Sequence, residues 1–315
     1  MKKNIILFFI VSAAIFLVAF FFIRHFIASN GEPRASSSKI KAVTTLFPLY
    51  DMARYIGGDN IELTLLLPPG VEPHSFEPKP SDIVEISEAD VFVYTGKFME
   101  PWAEDIINAT GGKNVKVVDS GYGVKMVPAV FHDADEPAGS ADPHIWLDFD
   151  NAKIMADNIA AALIEKDPAN INFYRQNSEQ YKNILSALDN EYRTTLANCE
   201  SREIVYGGHY AFGYLADRYG LRYLAAQGVS PDAEPTAGDL VKLVDQIREN
   251  NIKYVFYEEL ASPKIAEVIA GETGAKMLLL NAAHNLSKED MENGVTYFEI
   301  LEEDLSNIKL GLGCK

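Results

Sequence analysis

The sequence predicts an α/β fold of two lobes, each a mostly parallel sheet flanked by helices, joined by one long rigid helix. Three observations carry this. Short apolar segments of strand character alternate with helical patterns; a near-heptad stripe runs for about 30 residues in mid-chain; and the alternation restarts after it. Strands separated by helices pair in parallel, and helices then cover both faces of the sheet. A chain of 315 residues has room for about two such units.

The first feature in order is an apolar run over residues 4–23, with Lys2 and Lys3 before it and Arg24 and His25 after it. Twenty residues can span a bilayer. A cleaved secretory signal has a shorter apolar stretch of about 7 to 15 residues, so residues 1–28 read as an anchor, with cleavage near Ala28 or within residues 35–38 as the alternative. Lys2 and Lys3 hold the N-terminus in the cytoplasm. The folded part is therefore expected to be extracytoplasmic, tethered to the membrane, or secreted or periplasmic if the segment is removed. Residues 29–39, which contain Ser, Gly and Pro, form a linker.

The first lobe spans residues 40–166. Strands are expected at 41–46, at 61–67 (ended by Pro68, Pro69 and Gly70), at 91–95 and at 115–118, with helices at 48–56, 81–87 and 101–109 between them. The connecting helix, 167–198, has Asp167 as cap and Pro168 as first residue. Its apolar or small positions are Ile171, Tyr174, Ser178, Tyr181, Leu185, Leu188 and Tyr192. At about 1.5 Å per residue it would be on the order of 45 Å long. A single stiff connection of this kind restricts hinge opening. The second lobe, 199–315, has strands at 204–206, 222–225, 254–257 and 276–280. A helix over 210–219 stops at Gly220. Thr236 with Asp239 resembles a capping box ahead of Leu240, Leu243, Val244 and Ile247 on one helical face, Ser262 and Pro263 open the next helix, and Ser287 with Asp290 opens the last.

Composition narrows the function. The chain is 48% hydrophobic and 23% charged, which excludes wholesale disorder. Its net charge is -17, and because residues 1–38 hold four basic residues against one acidic, residues 39–315 carry -20. Such a surface repels phosphate backbones, so no nucleic-acid partner is expected, and its field attracts cations. Cys199 and Cys314 are too few for a disulfide framework and lack the close spacing of a thiolate metal site; outside the cytosol they could pair or remain two thiols.

Four histidines stand where open α/β sheets place ligands. His74, His209 and His284 each follow the carboxyl end of an expected strand, and His144 precedes the helix that starts near Asn151. They lie 70, 65 and 75 residues apart, two before the long helix and two after it, which suits a metal site in a cleft lined from both lobes. Imidazole nitrogen suits zinc and other borderline transition metals, whereas calcium or magnesium would want oxygen. Catalytic zinc keeps a position open for water, and four histidines would close it. No HExxH pair, P-loop or GxSxG elbow argues for catalysis. Asp148, Glu234 and Glu258 are candidates to orient the imidazoles, since a metal-bound histidine donates its other N–H to such a group. His132, among Asp133, Asp135 and Glu136, reads as a solvated acidic loop or a site of transient metal capture.

Four segments carry a resemblance. Pro69-Gly70-Val71-Glu72-Pro73-His74-Ser75-Phe76-Glu77-Pro78, Asp142-Pro143-His144-Ile145-Trp146-Leu147-Asp148, Gly208-His209-Tyr210-Ala211-Phe212 and Asp232-Ala233-Glu234-Pro235-Thr236 resemble, in order, the metal-binding subunits of zinc and manganese ABC importers. The likeness covers about residues 40–312. It implies two α/β lobes joined by one long helix, with the ion held between them and delivered to an ABC transporter permease, and it places His74, His144 and His209 on that family's histidine positions. The family's fourth ligand is usually Asp or Glu; here Asn281 stands where some members have Asp and His284 where others have Glu, and His284 is preferred. The long histidine-rich loop of zinc-specific members is reduced to His132, and no lipid-attachment Cys follows the apolar run, which a transmembrane helix could replace.

The expectation is thus a monomeric, membrane-tethered Zn2+ carrier without catalytic activity, whose affinity falls below the histidine pKa of about 6.5. The alternatives are the same scaffold carrying Mn2+ or Fe2+, a zinc hydrolase with a three-histidine site, and a surface adhesin.

Overall fold

The computed structural model describes residues 39–110, 115–129, 140–228 and 235–315. The expected anchor and most of the linker, the acidic stretch around His132, and Glu234 lie outside these residues. Among the described residues no helix is long and apolar enough to cross a membrane.

The first sheet holds β1 (Ile40–Thr44), β2 (Ile61–Leu65), β3 (Val91–Tyr94) and β4 (Lys116–Asp119) in the order β2-β1-β3-β4, with every pairing parallel. All four residues of β3 are buried, as a strand covered on both faces requires. The helices of this half are α1 (Phe47–Gly57), α2 (Pro80–Glu88), α3 (Ala103–Thr110) and α4 (Phe149–Lys166). The second sheet repeats the plan with β5 (Glu203–Tyr206), β6 (Arg222–Ala225), β7 (Tyr254–Glu258) and β8 (Lys276–Leu280) in the order β6-β5-β7-β8, again parallel. Both sheets reverse their direction of growth beside the first strand, between β1 and β3 and between β5 and β7. That is where open α/β sheets form a crevice.

Between the sheets runs α5 (Ile171–Leu196), 26 residues and about 39 Å long. It starts later than the sequence suggests: Asp167 and Pro168 open a short 3-10 turn, Pro168–Asn170, before the α-helix begins. Its buried stripe is Tyr174, Ser178, Tyr181, Leu185, Leu188, Tyr192 and Leu196: six of the seven expected positions are buried, Ile171 in the first turn is only half-buried, and Leu196 extends the stripe at the other end. The stripe packs on α4, on α1 and on the C-terminal helix. The remaining helices are α6 (Gly213–Tyr219), α7 (Ala237–Glu249), α8 (Lys264–Thr273), α9 (Lys288–Asn293) and α10 (Tyr297–Leu312). Thr236 caps α7 and Ser287 caps α9 through side chains that accept from Asp239 N and Asp290 N, as their spacing predicted, but the helix Ser287 opens is short and not the last: α10 follows it with its own capping box, Thr296 and Glu299. The Ser262 expectation shifts: Pro263 itself occupies the cap position of α8. The two cysteines are paired as a Cys199–Cys314 disulfide.

Candidate metal centre

Three of the four candidate histidines follow a strand past its carboxyl end. After β2 the chain continues alongside β1, with Leu66 N donating to Thr44 O and Leu67 N to Thr45 O, then turns away into the loop that carries His74. His209 follows β5 through Gly207 and Gly208, at the second sheet's crevice. A β-carbon on Gly208 would collide with the Glu258 carboxylate, so only glycine lets the chain pass this close to the end of β7. His284 follows β8. His144 precedes a 3-10 turn, Ile145–Leu147, that leads into α4.

These four, separated by 70 residues on average in the chain's order, converge. One ring nitrogen from each of His74, His144, His209 and His284 lies within 4.8 Å of all the others. His74 Nε2 is 3.3 Å from His144 Nε2, and His144 Nε2 is 3.1 Å from His209 Nε2. Four ligands at a Zn–N distance of about 2.0–2.1 Å mark out a tetrahedron with edges of roughly 3.4 Å. His144, His209 and His284 are buried and His74 is half-buried.

Carboxylates fix the rings. Asp142 Oδ1 lies 2.7 Å from His144 Nδ1, and Glu258 Oε1 lies 2.7 Å from His209 Nδ1. With an Nδ1 proton engaged there, a neutral ring at either position turns its Nε2 lone pair inward. Two lone pairs 3.1 Å apart cannot hydrogen-bond each other; they repel unless a cation sits against both. Glu259 Oε1 is 3.2 Å from His284 Nδ1, and among the described residues neither ring nitrogen of His284 has a hydrogen-bond partner. The chemistry of this donor set therefore fits a borderline divalent ion.

Burial, reinforced by the neighbouring imidazoles, holds the pKa of His74 and His144 well below the ordinary histidine value. Both are neutral, metal-ready ligands down to lower pH than a free imidazole. At His284 burial acts in the same direction, but the Glu259 carboxylate 3.2 Å away, with the charges of Glu72 and Glu258 behind it, outweighs it and raises the pKa. Burial works to raise Glu258, and its bond to His209 more than offsets this, leaving the carboxyl below its usual range.

Of the carboxylates expected to orient imidazoles, Glu258 stands against His209, Glu234 is outside the described residues, and Asp148 serves elsewhere. Asp148 caps α4, accepting from Asp150 N and Asn151 N, and pairs with Arg218 at 2.9 Å. The 3-10 turn carries it away from His144, whose ring folds back on Asp142. Asp142 and Glu259 are the partners that sequence reasoning missed. Their signal was adjacency: Asp142 opens the segment containing His144, and Glu259 directly follows Glu258 at the end of β7. Asn281, the rival fourth ligand, spends its side chain on Ala283 N.

The loop bearing His284 is held from several sides. Asp304 accepts from Asn281 N, Glu259 from Ala282 N, and Ala282 O receives the Trp146 indole N–H at 2.7 Å. Ala283 adopts a left-handed backbone, φ 59°, that a non-glycine residue holds only where its surroundings impose it.

With this geometry in hand, the chain can be compared with known proteins. Residues 42–311 match the family model described as "Zinc-uptake complex component A periplasmic". The chain is 36% identical over 289 residues to the high-affinity zinc uptake system protein ZnuA of Bacillus subtilis, covering 90% of each. It is 32% identical over 291 residues to the zinc-binding protein AdcA of Streptococcus pyogenes, covering 87% of this chain but only 56% of that protein's length. The crystal structure of the Zn(II)-bound ZnuA-like domain of Streptococcus pneumoniae AdcA superimposes with a TM-score of 0.76 at 32% identity, over 87% of this chain and 99% of the domain. The parallel sheets in tandem, the converging histidines and these matches agree: the chain belongs to the family of zinc-uptake component A proteins, the substrate-binding proteins of zinc ABC importers.

Proposed function

We propose that the chain is the extracytoplasmic solute-binding subunit of an ABC importer, capturing Zn2+ between two lobes on His74, His144, His209 and His284 and delivering it to a membrane permease. The observation that carries this reading is the pair of inward Nε2 atoms of His144 and His209 at 3.1 Å, each with its Nδ1 on a buried carboxylate. A nitrogen-only shell favours zinc over Mn2+ or Fe2+, which accept carboxylate readily. Four protein ligands also leave no coordination position for an attacking water, so the site has no place for a hydrolytic nucleophile. The ion binds as cargo, drawn by the net charge of -20 on residues 39–315. Protons compete with it for the imidazoles, which favours release in acid.

The rest of the organisation follows this role. Residues 40–166 and 199–315 act as the two lobes, residues 167–198 as the strut between them, and the apolar segment within residues 1–28 as the tether that keeps a monomeric carrier beside its permease.

Calorimetric titration of metal-stripped protein tests the reading. It should bind one Zn2+ per chain and Mn2+ far more weakly, and His144→Ala should weaken zinc binding by roughly a hundredfold or more. Equal affinity for the two ions, or an unaffected variant, would reject it.

A further inference from the structure

Three of the four histidines have a carboxylate beside the second ring nitrogen: Asp142 at His144, Glu258 at His209 and Glu259 at His284. His74 differs. Among the described residues no carboxylate stands at its Nδ1. It is the least buried of the four, and it rides on a loop between β2 and α2 rather than directly on a strand end. Its place in the cluster therefore depends on what holds that loop.

The holding contacts come from the other half of the molecule and converge on two residues. Asn285, fully buried, donates both N–H groups of its carboxamide, one to Pro68 O and one to Val71 O, each at 2.8 Å. Its Oδ1 accepts from Leu286 N at 2.8 Å, and Leu286 O accepts from Gly70 N at 2.8 Å. Residues 68–71 themselves form a tight turn, with Val71 N on Pro68 O and Gly70 at φ 80°. The turn is thus rigid within itself and fastened to residues 285 and 286 by three bonds. His74 follows it by three residues, and His284 immediately precedes Asn285. Only a primary amide supplies two donors from one nitrogen and an acceptor beside them. Aspartate would set carboxylate oxygens against two carbonyls.

We infer that Asn285 is a positioning residue of the metal site: its carboxamide fastens the loop carrying His74 to the loop carrying His284 and so sets how fast the ion is lost. This rests on the zinc-carrier reading above. The same amide bridges residues more than 200 positions apart, 217 and 214, so breaking it frees the one ligand whose ring no carboxylate holds; Glu72 accepts only from the His74 backbone N–H, at 3.1 Å.

A double-mutant cycle on the full chain tests this, with the rate of zinc loss to a chelator measured by stopped flow. Asn285→Ala should speed loss about tenfold, the order expected for two buried hydrogen bonds. In a His74→Ala background, where that ligand is already absent, the same substitution should change the rate less than about twofold. An equal acceleration in both backgrounds, or none in the native one, overturns the inference. Should thermal melting show that Asn285→Ala does not fold, Asn285→Gln retains the amide and displaces it by one methylene, and the cycle is read with that variant. If His74→Ala alone leaves zinc loss unchanged, the ligand assignment beneath the inference fails and the inference falls with it.

Discussion

A neutral imidazole binds a metal well only if its other nitrogen is held, because otherwise the ring rotates and the tautomers exchange. Glu258 does this for His209, and its second oxygen accepts the His209 backbone N–H at 3.0 Å. Glu258→Gln keeps an acceptor of the same shape but loses the charge, and zinc affinity by calorimetry should fall about 10- to 100-fold while the fold persists. Asp148→Asn gives the contrast: it weakens the pairing with Arg218 and should lower the melting temperature while leaving zinc affinity unchanged. A loss of zinc binding from Asp148→Asn comparable to that from Glu258→Gln would contradict the geometry. His74, His209 and His284 were legible because strand ends are visible as the close of an apolar run, where open α/β sheets gather ligands, whereas His144 was marked only by its place just before a helix. The choice of Asp142 over Asp148 was not. Both flank His144 in one heptapeptide, and only the direction of the turn at Ile145–Leu147 decides which carboxylate meets the ring.

At the scale of elements, α5 was the easiest to read, because seven positions at near-heptad spacing have no other economical explanation than one buried face. Its first turn was not, because Asp167 has uses other than capping: it accepts from the Tyr174 hydroxyl at 2.9 Å and binds the Asn170 amide, which stabilises the 3-10 turn ahead of the helix. Two tyrosines on the same stripe are indistinguishable in sequence and differ in the structure. The Tyr192 hydroxyl donates to Leu301 O in α10, whereas the Tyr181 hydroxyl is buried with no hydrogen-bond partner among the described residues. A buried polar group that has lost water without gaining a partner is a net cost. Tyr181→Phe should therefore be neutral or stabilising, and Tyr192→Phe should cost about 1 kcal/mol, both read from denaturant midpoints. Equal losses for the two would show that the hydroxyls are not what separates them.

For the whole molecule, the sequence displayed the repeat of one α/β plan on either side of a helix. It did not display how the halves meet, because contacts such as Phe47 N on His284 O pair backbone atoms, which any residue could supply. The two crevices at the sheet ends are also filled differently. In the second, Glu258 meets His209. In the first, between β1 and β3, the buried Glu100 carboxyl gathers the Thr45 hydroxyl and the backbone N–H groups of Thr95 and Gly96, tying both strand ends together. Burial pushes its pKa from 4.5 up to about 7 despite those bonds. The folded protein therefore holds a proton on Glu100 that the unfolded chain has released, throughout the window between these values. The stability this contributes is complete below pH 4.5, is lost as pH rises through the window, and is exhausted above about pH 7. A span of this width corresponds to something on the order of 3 kcal/mol. Glu100→Gln cannot titrate, so the stability of metal-free native protein relative to this variant should fall by about that amount between acid and neutral pH. Parallel pH profiles for the two proteins in urea unfolding would mean that the carboxyl is ionised in the fold throughout, with its three donors outweighing its burial.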